Sequence, residues 1–166
     1  GSGIPGATYG CSEEVAQRIN ARIPPEDCDV GGIGGTLAGN ALSLAAMRVT
    51  LEHILTRSNF EKMFPLAKRF TDGVAENLQA TGLPWNVIRL GARAEYTFAP
   101  KPPRNGGESA AAADFELERF LHLYALNRGV LLTPFHNMAL MCPDTSAADI
   151  DAHTRIFAEA AHELTS

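Results

Sequence analysis

The sequence has few of the residues that would tie a protein to a membrane, to nucleic acid or to a disulfide framework. Its 166 residues include three cysteines, one tryptophan and three lysines. Three scattered cysteines, an odd number, are typical of reduced thiols in a cytoplasmic protein. No run of about 18 apolar residues is present, so no transmembrane helix is predicted. With a net charge of −5, the chain offers no basic stripe for phosphodiester backbones, which argues against nucleic-acid binding.

Composition and length are those of a folded globular protein. The hydrophobic fraction is 45% and the charged fraction 20%, and a chain of this size buries about two-thirds of its unfolded surface. The five histidines share no spacing that suits a metal, and no cysteine pair has zinc-finger spacing. We therefore predict surface or half-buried histidines and no metal site.

The first third of the chain predicts one short strand and two helices. Residues 4–9 resemble a strand, and Ser12 is a good N-cap for a helix that must stop before Pro24 and Pro25. A second helix is predicted over about residues 40–56. It is apolar nearly all round for its first three turns, so it must be covered on both sides.

The rest of the chain alternates between helical and strand periodicity. A helix ending at Gly82, two strands flanking Gly91 and a last helix begun by the Ser146–Asp149 capping box are the clearest signals. The predicted elements are helices over about 58–81 and 111–128, strands over 85–90, 92–99, 130–132 and 138–141, a loop over 100–107, and the last helix. This order indicates a small α+β lobe.

A glycine-rich segment, residues 31–40 (GGIGGTLAGN), leads directly into the second helix. Glycines allow close backbone approach, and free N–H groups at a helix N-terminus favour a phosphate. No lysine precedes Thr36, which excludes the nucleoside-triphosphate loop, so the phosphate of a cofactor is the better candidate. The alternative is a buried turn whose glycines only permit close packing. A second glycine pattern, Gly1-x-Gly3-x-x-Gly6, lacks the preceding strand that dinucleotide binding requires.

Three segments together resemble one enzyme family. Residues 35–46 (GTLAGNALSLAA) resemble the Gly-Thr-Leu-x-Gly-Asn-Pro-x-x-x-Ala-Ala signature of class III pyridoxal-phosphate-dependent aminotransferases, in the branch that includes glutamate-1-semialdehyde aminomutase. Residues 1–10 resemble the family's Gly-Gly-Gly-x-Pro-x-Gly-Ala-x-Gly segment, and residues 127–134 its Arg-Gly-Val-x-x-x-Pro. The segments stand in the family's order and span nearly the whole chain. Ala41 replaces the usual proline.

The resemblance implies that the chain is the C-terminal part of a fold type I, α/β-class enzyme and begins just after the Schiff-base lysine. Residues 1–57 would then form the end of the cofactor-binding large domain and the interdomain helix, and residues 58–166 the C-terminal small α+β domain. It implies pyridoxal 5'-phosphate as cofactor, a homodimer, and an amino donor and oxo-acid acceptor as substrates. Lys62, Lys68 and Lys101 have polar or loop surroundings, so we expect solvated lysines and no catalytic residue in this segment.

The resemblance also nominates binding residues. Thr36, with Gly35, would contact the cofactor phosphate of the neighbouring subunit, although a helix-capping role for its hydroxyl is compatible with that. Arg93, Phe135 and His136 would face the substrate. Alternatively, Arg93 is a sheet-edge cation and His136 a loop residue without a task. Two other functions stay open, an intramolecular aminomutase and a non-catalytic interaction module derived from the small lobe.

Overall fold

The computed structural model describes residues 4–22, 37–133 and 136–166. The chain divides into two compact units, Gly1–Thr56 and Arg57–Ser166. No helix among the described residues is long and apolar enough to cross a membrane. The same residues contain no group of three or more histidine, cysteine or acidic side chains that could hold a metal.

Two helices make up the described part of the first unit. Helix α1 spans Glu13–Asn20 and is capped as predicted, because the Ser12 side chain accepts from the Val15 N–H at 3.4 Å. Helix α2 spans Ala41–Val49 and continues as a π-helical turn over Thr50–Ile54. Neither helix has a buried residue.

The strand predicted over residues 4–9 is wrong. The segment has no strand pairing, since the described residues of its unit are helical, turn or irregular and none pairs with it. It is instead tied to α2, where the Ser43 hydroxyl donates to the Pro5 carbonyl at 2.9 Å.

The second unit begins with the longest helix, α3, Arg57–Thr81. Its apolar side chains are buried at five positions (Met63, Ala67, Phe70, Val74 and Leu78), and Phe64 is exposed. Gly82 follows with φ +70°, as a helix-terminating glycine should. Helix α3 packs against the last helix, α6 (Ala147–Thr165). The predicted Ser146–Asp149 capping box at the start of α6 is formed.

A three-stranded antiparallel sheet lies against these helices. Its order is β1 (Asn86–Leu90), β2 (Arg93–Thr97) and β3 (Met138–Leu140), with Gly91 at φ +60° in the tight β1–β2 turn. Ala94 and Tyr96 point into the core, and the Tyr96 ring packs 5.0 Å from that of Phe157 on α6. By strand alternation, Arg93 and Glu95 lie on the opposite face.

Three sequence predictions in this unit need correction. The helix predicted over about 111–128 is shorter, α5 (Phe115–Leu126), and a separate short helix, α4 (Gly106–Ala111), begins inside the predicted 100–107 loop. Asp114 sets the start of α5, because its Oδ1 accepts from the N–H groups of Glu116 and Leu117. The strand predicted over 130–132 does not form. The Val130 N–H closes the end of α5 by donating to the Ala125 carbonyl.

The histidine prediction fails at one position. His153 on α6 is 4% exposed, with its ring stacked 4.4 Å from that of Phe70 and its Nδ1 without a hydrogen-bond partner. Burial lowers the pKa of this imidazole to about 4. His53, His136 and His162 are exposed and His122 is half-buried, as expected.

Candidate functional site

Three of the predicted binding residues lie outside the described residues. These are Gly35 and Thr36 of the glycine-rich segment, and Phe135 of the loop before β3. Arg93 and His136 are described, so the geometry of the site is available on its predicted substrate side.

The N-terminus of α2 is already capped by its own sequence. Asn40 Oδ1 accepts from the N–H groups of Leu42 and Ser43 at 3.0 and 3.2 Å. Two of the four free N–H groups of the first turn are therefore satisfied within the chain. A phosphate approaching this end of α2 would have to be bound mainly by donors that precede Asn40.

Arg93 lies on the outer face of β2, opposite Leu140 of β3. Its Nη2 donates to Glu95 Oε2 at 2.6 Å. Residues i and i+2 of a strand share a face, so this pair follows directly from the β2 sequence. The guanidinium is half exposed, and its strongest contact is within its own strand.

His136 stands beside the same carboxylate. Its Nδ1 lies 4.0 Å from Glu95 Oε1, a contact that becomes an ion pair when the imidazole is protonated. Its position is fixed by the chain on both sides. The His136 N–H donates to the Thr133 carbonyl at 3.3 Å, and the carbonyl of the buried Asn137 accepts from the Tyr96 N–H at 3.2 Å.

His136 and Asn137 border two adjoining clefts. One, of about 410 Å³, lies between β2 and α4 and is also lined by Glu95, Thr97, Ser109 and Glu118. The other, of about 270 Å³, is lined on the α5 side by Phe115, Arg119, His122 and Leu123. The loop before β3 thus presents an imidazole to two clefts large enough for small organic molecules.

The structure therefore brings Arg93 and His136, the two described residues predicted to bind substrate, together through a third residue that was not predicted. Glu95 contacts both Arg93 and His136 and is 22% exposed at its side chain. The available signal was the Arg93-x-Glu95 spacing within a predicted strand, which indicates two opposite charges on one face. Glu118 and Asn137 carried no comparable signal, because their approach to the site depends on tertiary packing.

The predicted solvation of the lysines is confirmed. Lys62, Lys68 and Lys101 are exposed, and Lys68 pairs with Asp72 on the surface of α3 at 2.6 Å. None has the desolvated surroundings that would make an amine reactive at neutral pH. All three lysines of the sequence are thus solvated in the described structure.

Comparison with known proteins finds relatives of one kind. No protein-family model matches the chain. A glutamate-1-semialdehyde 2,1-aminomutase 2 from Brevibacillus brevis is 29% identical over 134 residues, which cover 81% of this chain and 30% of that protein. The crystal structure of a glutamate-1-semialdehyde aminomutase (K286A) from Pseudomonas aeruginosa PAO1, in complex with PMP, superposes with a TM-score of 0.86 at 50% identity.

The match to the Pseudomonas aeruginosa structure covers 93% of this chain and 35% of that aminomutase. An omega-transaminase from Sphaerobacter thermophilus shares the fold, with a TM-score of 0.63 at 21% identity over 80% of this chain and 30% of the transaminase. The chain is therefore homologous to part of the glutamate-1-semialdehyde aminomutases, and it shares its fold with part of an omega-transaminase. It spans about a third of the length of these relatives. The predicted resemblance and fold class are confirmed.

Proposed function

We propose that this chain is the C-terminal segment of a pyridoxal-phosphate-dependent class III aminotransferase, which moves an amino group between an amino acid or amine and an oxo acid. One observation carries the proposal. Half of the aligned residues are identical to those of an aminomutase crystallised with PMP, over 93% of the chain. A non-catalytic module would not need to retain that identity through both units.

The cofactor supplies an electron sink for the bonds at the reacting carbon when it is bound. In the proposal, Gly35 and Thr36 donate hydrogen bonds to its phosphate. The Asn40 cap supports this assignment, because Asn40 Oδ1 already accepts from the N–H groups of Leu42 and Ser43. The segment before Asn40 is then the main source of donors for the phosphate. The lysine that forms the Schiff base would be contributed by the rest of the protein.

The small domain contributes one wall of the substrate pocket in this proposal. His136 and Phe135 contact the substrate from the loop before β3, and Arg93 contacts it from β2. The convergence of Arg93 and His136 on Glu95 supports a common site, because it places both basic groups within reach of one small molecule.

We further propose that the whole protein is a cytoplasmic homodimer. The helix α2 and its π-helical extension expose Leu42, Leu44, Val49, Leu51 and Ile54, and a helix with so much exposed apolar surface needs covering. The large domain and a second subunit would provide that cover. Cys11 and Cys142 are free, exposed thiols, which suits a reducing compartment.

An intramolecular aminomutase is the second candidate. It is favoured by the names of the relatives, since 50% identity joins this chain to a glutamate-1-semialdehyde aminomutase and 21% to an omega-transaminase. The two reactions differ in their need for a second substrate. An aminomutase converts glutamate-1-semialdehyde in the absence of any added oxo acid, whereas an aminotransferase stops after one turnover unless an acceptor is supplied.

The first test concerns the cofactor and uses the full protein that contains this chain. We expect Thr36→Ala to weaken pyridoxal-phosphate retention by about 1–3 kcal/mol, the loss of one charge-assisted phosphate contact. Thr71→Ala is the matched control, because the exposed Thr71 hydroxyl only donates to the Lys68 carbonyl of its own helix. Equal retention in the two variants, followed by the visible absorbance of the bound cofactor, would contradict the assignment.

A further inference from the structure

Glu95 holds the two basic side chains of the proposed substrate wall. Arg93 approaches one carboxylate oxygen at 2.6 Å and His136 the other at 4.0 Å. The Glu95 side chain is the least exposed of the three, at 22% against 48% for Arg93 and 59% for His136. Glu95 is therefore the least solvated member of this cluster.

This arrangement limits what Arg93 can bind. A charge-assisted hydrogen bond of 2.6 Å is among the strong contacts of proteins, and it already satisfies part of the guanidinium. The pairing is fixed by the strand, since residues 93 and 95 share one face of β2. A substrate carboxylate at Arg93 would have to share it with Glu95, and the like charges would repel each other at close range.

The cleft between β2 and α4 has the same charge bias, whereas the cleft on the α5 side is also lined by Arg119 and His122. Of the described residues that line the cleft between β2 and α4, Glu95 and Glu118 are acidic and His136 is the single basic one. Thr97, Ser109 and Asn137 add uncharged polar groups. The cleft between β2 and α4 therefore offers uncharged polar groups and a net negative charge to a ligand, and this charge does not compensate a second carboxylate.

We infer that Glu95 is a specificity-determining residue of this enzyme. It neutralises Arg93, so that the wall accepts substrates whose far end is uncharged or protonated and rejects substrates that carry a second carboxylate there. The inference rests on the proposed function, because it requires this wall to face the substrate. Specificity then comes from a repulsive element in the site as much as from attraction.

The test measures how the cofactor-loaded full protein binds glutarate and its monoamide, two molecules that differ in one carboxylate. Each molecule is used as a competitive inhibitor of amino transfer. The inhibition constants of glutarate and of the monoamide are measured for the wild type and for each variant. Glu95→Gln keeps the shape of the side chain and removes its charge. We expect glutarate to bind at least about tenfold tighter to this variant, and the monoamide to change less than about threefold.

Two further variants make the result specific. In Arg93→Met/Glu95→Gln the gain for glutarate should disappear, because the released guanidinium is what binds the second carboxylate. Glu108→Gln removes a different surface ion pair, with Arg104, and should leave the ratio of the two constants unchanged. Glu95→Thr, which suits a strand and also removes the charge, repeats the test should the glutamine variant fold poorly.

The outcomes separate this inference from the proposed function. The specificity role of Glu95 is overturned if the Glu95 variants retain the cofactor and transfer amino groups but bind glutarate no more tightly than the wild type does. Glutarate binding that is too weak to measure in all proteins counts as this outcome. A gain that persists without Arg93 overturns the specificity role as well. If the wild-type protein neither retains the cofactor nor transfers amino groups, the proposed function fails and the inference falls with it.

Discussion

In residues 57–166 the apolar stripes of the long helices are buried, whereas in the described part of residues 1–56 the apolar helix α2 keeps its leucines exposed. Phe70 of α3 is 1% exposed and Leu42 of α2 is 64% exposed. Every buried hydrophobic residue of the described structure belongs to the second unit. The second unit thus encloses its own core, while the described part of the first leaves its apolar side chains exposed.

The largest expected effect follows from expressing the units separately. We expect residues 57–166 to unfold cooperatively, with a thermal midpoint within about 5 °C of that of the whole chain. The reason is that its core cluster, from Met63 to Ala161, is made of residues of this unit alone. Residues 1–56 alone should show no cooperative transition by circular dichroism. An unfolded 57–166 fragment would break the comparison.

A pair of substitutions compares the two kinds of apolar residue directly. Phe70→Ala should lower the free energy of unfolding of the chain by about 3–5 kcal/mol, the cost of a large cavity in a packed core. Leu42→Ala should change it by less than about 0.5 kcal/mol, as for other exposed sites. Denaturant titration measures both. Similar losses would mean that α2 is packed in solution.

The full protein sharpens this comparison. If the large domain covers α2 as proposed, Leu42→Ala should cost more there than in the isolated chain, while the cost of Phe70→Ala should stay the same. An unchanged, small effect of Leu42→Ala in the full protein would contradict the proposed cover.

The acid sensitivity of the second unit is the next largest effect. The pKa of His153 falls from 6.5 to about 4 on folding, so the unfolded chain binds its proton at a higher pH than the folded one. Stability should therefore be lost as pH falls from about 6.5 to about 4, by about 3 kcal/mol in total. The His153 imidazole is buried against the Phe70 ring, and its protonated form is unfavourable there because water is excluded.

Two controls isolate this contribution. His153→Phe should flatten the pH dependence of the unfolding free energy between pH 6.5 and 4, whereas His162→Gln, at an exposed position of the same helix, should leave it unchanged. Paired carboxylates contribute only at the acid end of this window. Hydrogen bonds from Ser146, Arg69 and Arg104 lower the pKa values of Asp149 and Asp151 from 3.8 and of Glu108 from 4.5, so their stabilisation is lost mainly below about pH 4.5, equally in the wild type and the His153 variant. If the unfolding free energy of the His153 variant falls as steeply with decreasing pH as that of the wild type, the prediction is wrong.

Local signals predicted much of the second unit. Ser146 and Asp149 specify the start of α6 through a capping box, and Gly82 and Gly91 mark a helix end and a tight turn by their positive φ angles. These features depend on a few neighbouring residues. They can therefore be predicted without knowledge of the tertiary structure.

The failures share a different cause. Whether residues 4–9 form a strand depends on a pairing partner, which no local pattern specifies. Val130 has the propensity of a strand residue, but its N–H is needed at the end of α5. His153 looks like any polar position until Phe70 and Tyr96 enclose it. In the candidate site, Arg93 and His136 were nominated by resemblance. The strand spacing could have placed Glu95 beside Arg93, but its contact with His136 depends on tertiary packing.

The smallest expected effect concerns the contact between α3 and α6. A Cβ at Gly73 would lie 2.7 Å from both Cγ2 and Oγ1 of Thr154. Rotation about χ1 of Thr154 would not relieve this, because two of its three staggered positions hold heavy atoms and one would still face Gly73. Gly73→Ala should therefore lower the unfolding free energy by about 1–3 kcal/mol, despite the better helix propensity of alanine.

The matched controls use the same substitution and the same contact. Gly106→Ala lies in helix α4 with no atom within 4 Å of the added Cβ, so it should be neutral or stabilising by up to about 1 kcal/mol. Adding Thr154→Ala to Gly73→Ala removes both close atoms and should restore most of the loss. A stabilising Gly73→Ala would mean that the helices of the second unit can move apart at little cost, and that its core is less tightly packed than the comparison with the first unit requires.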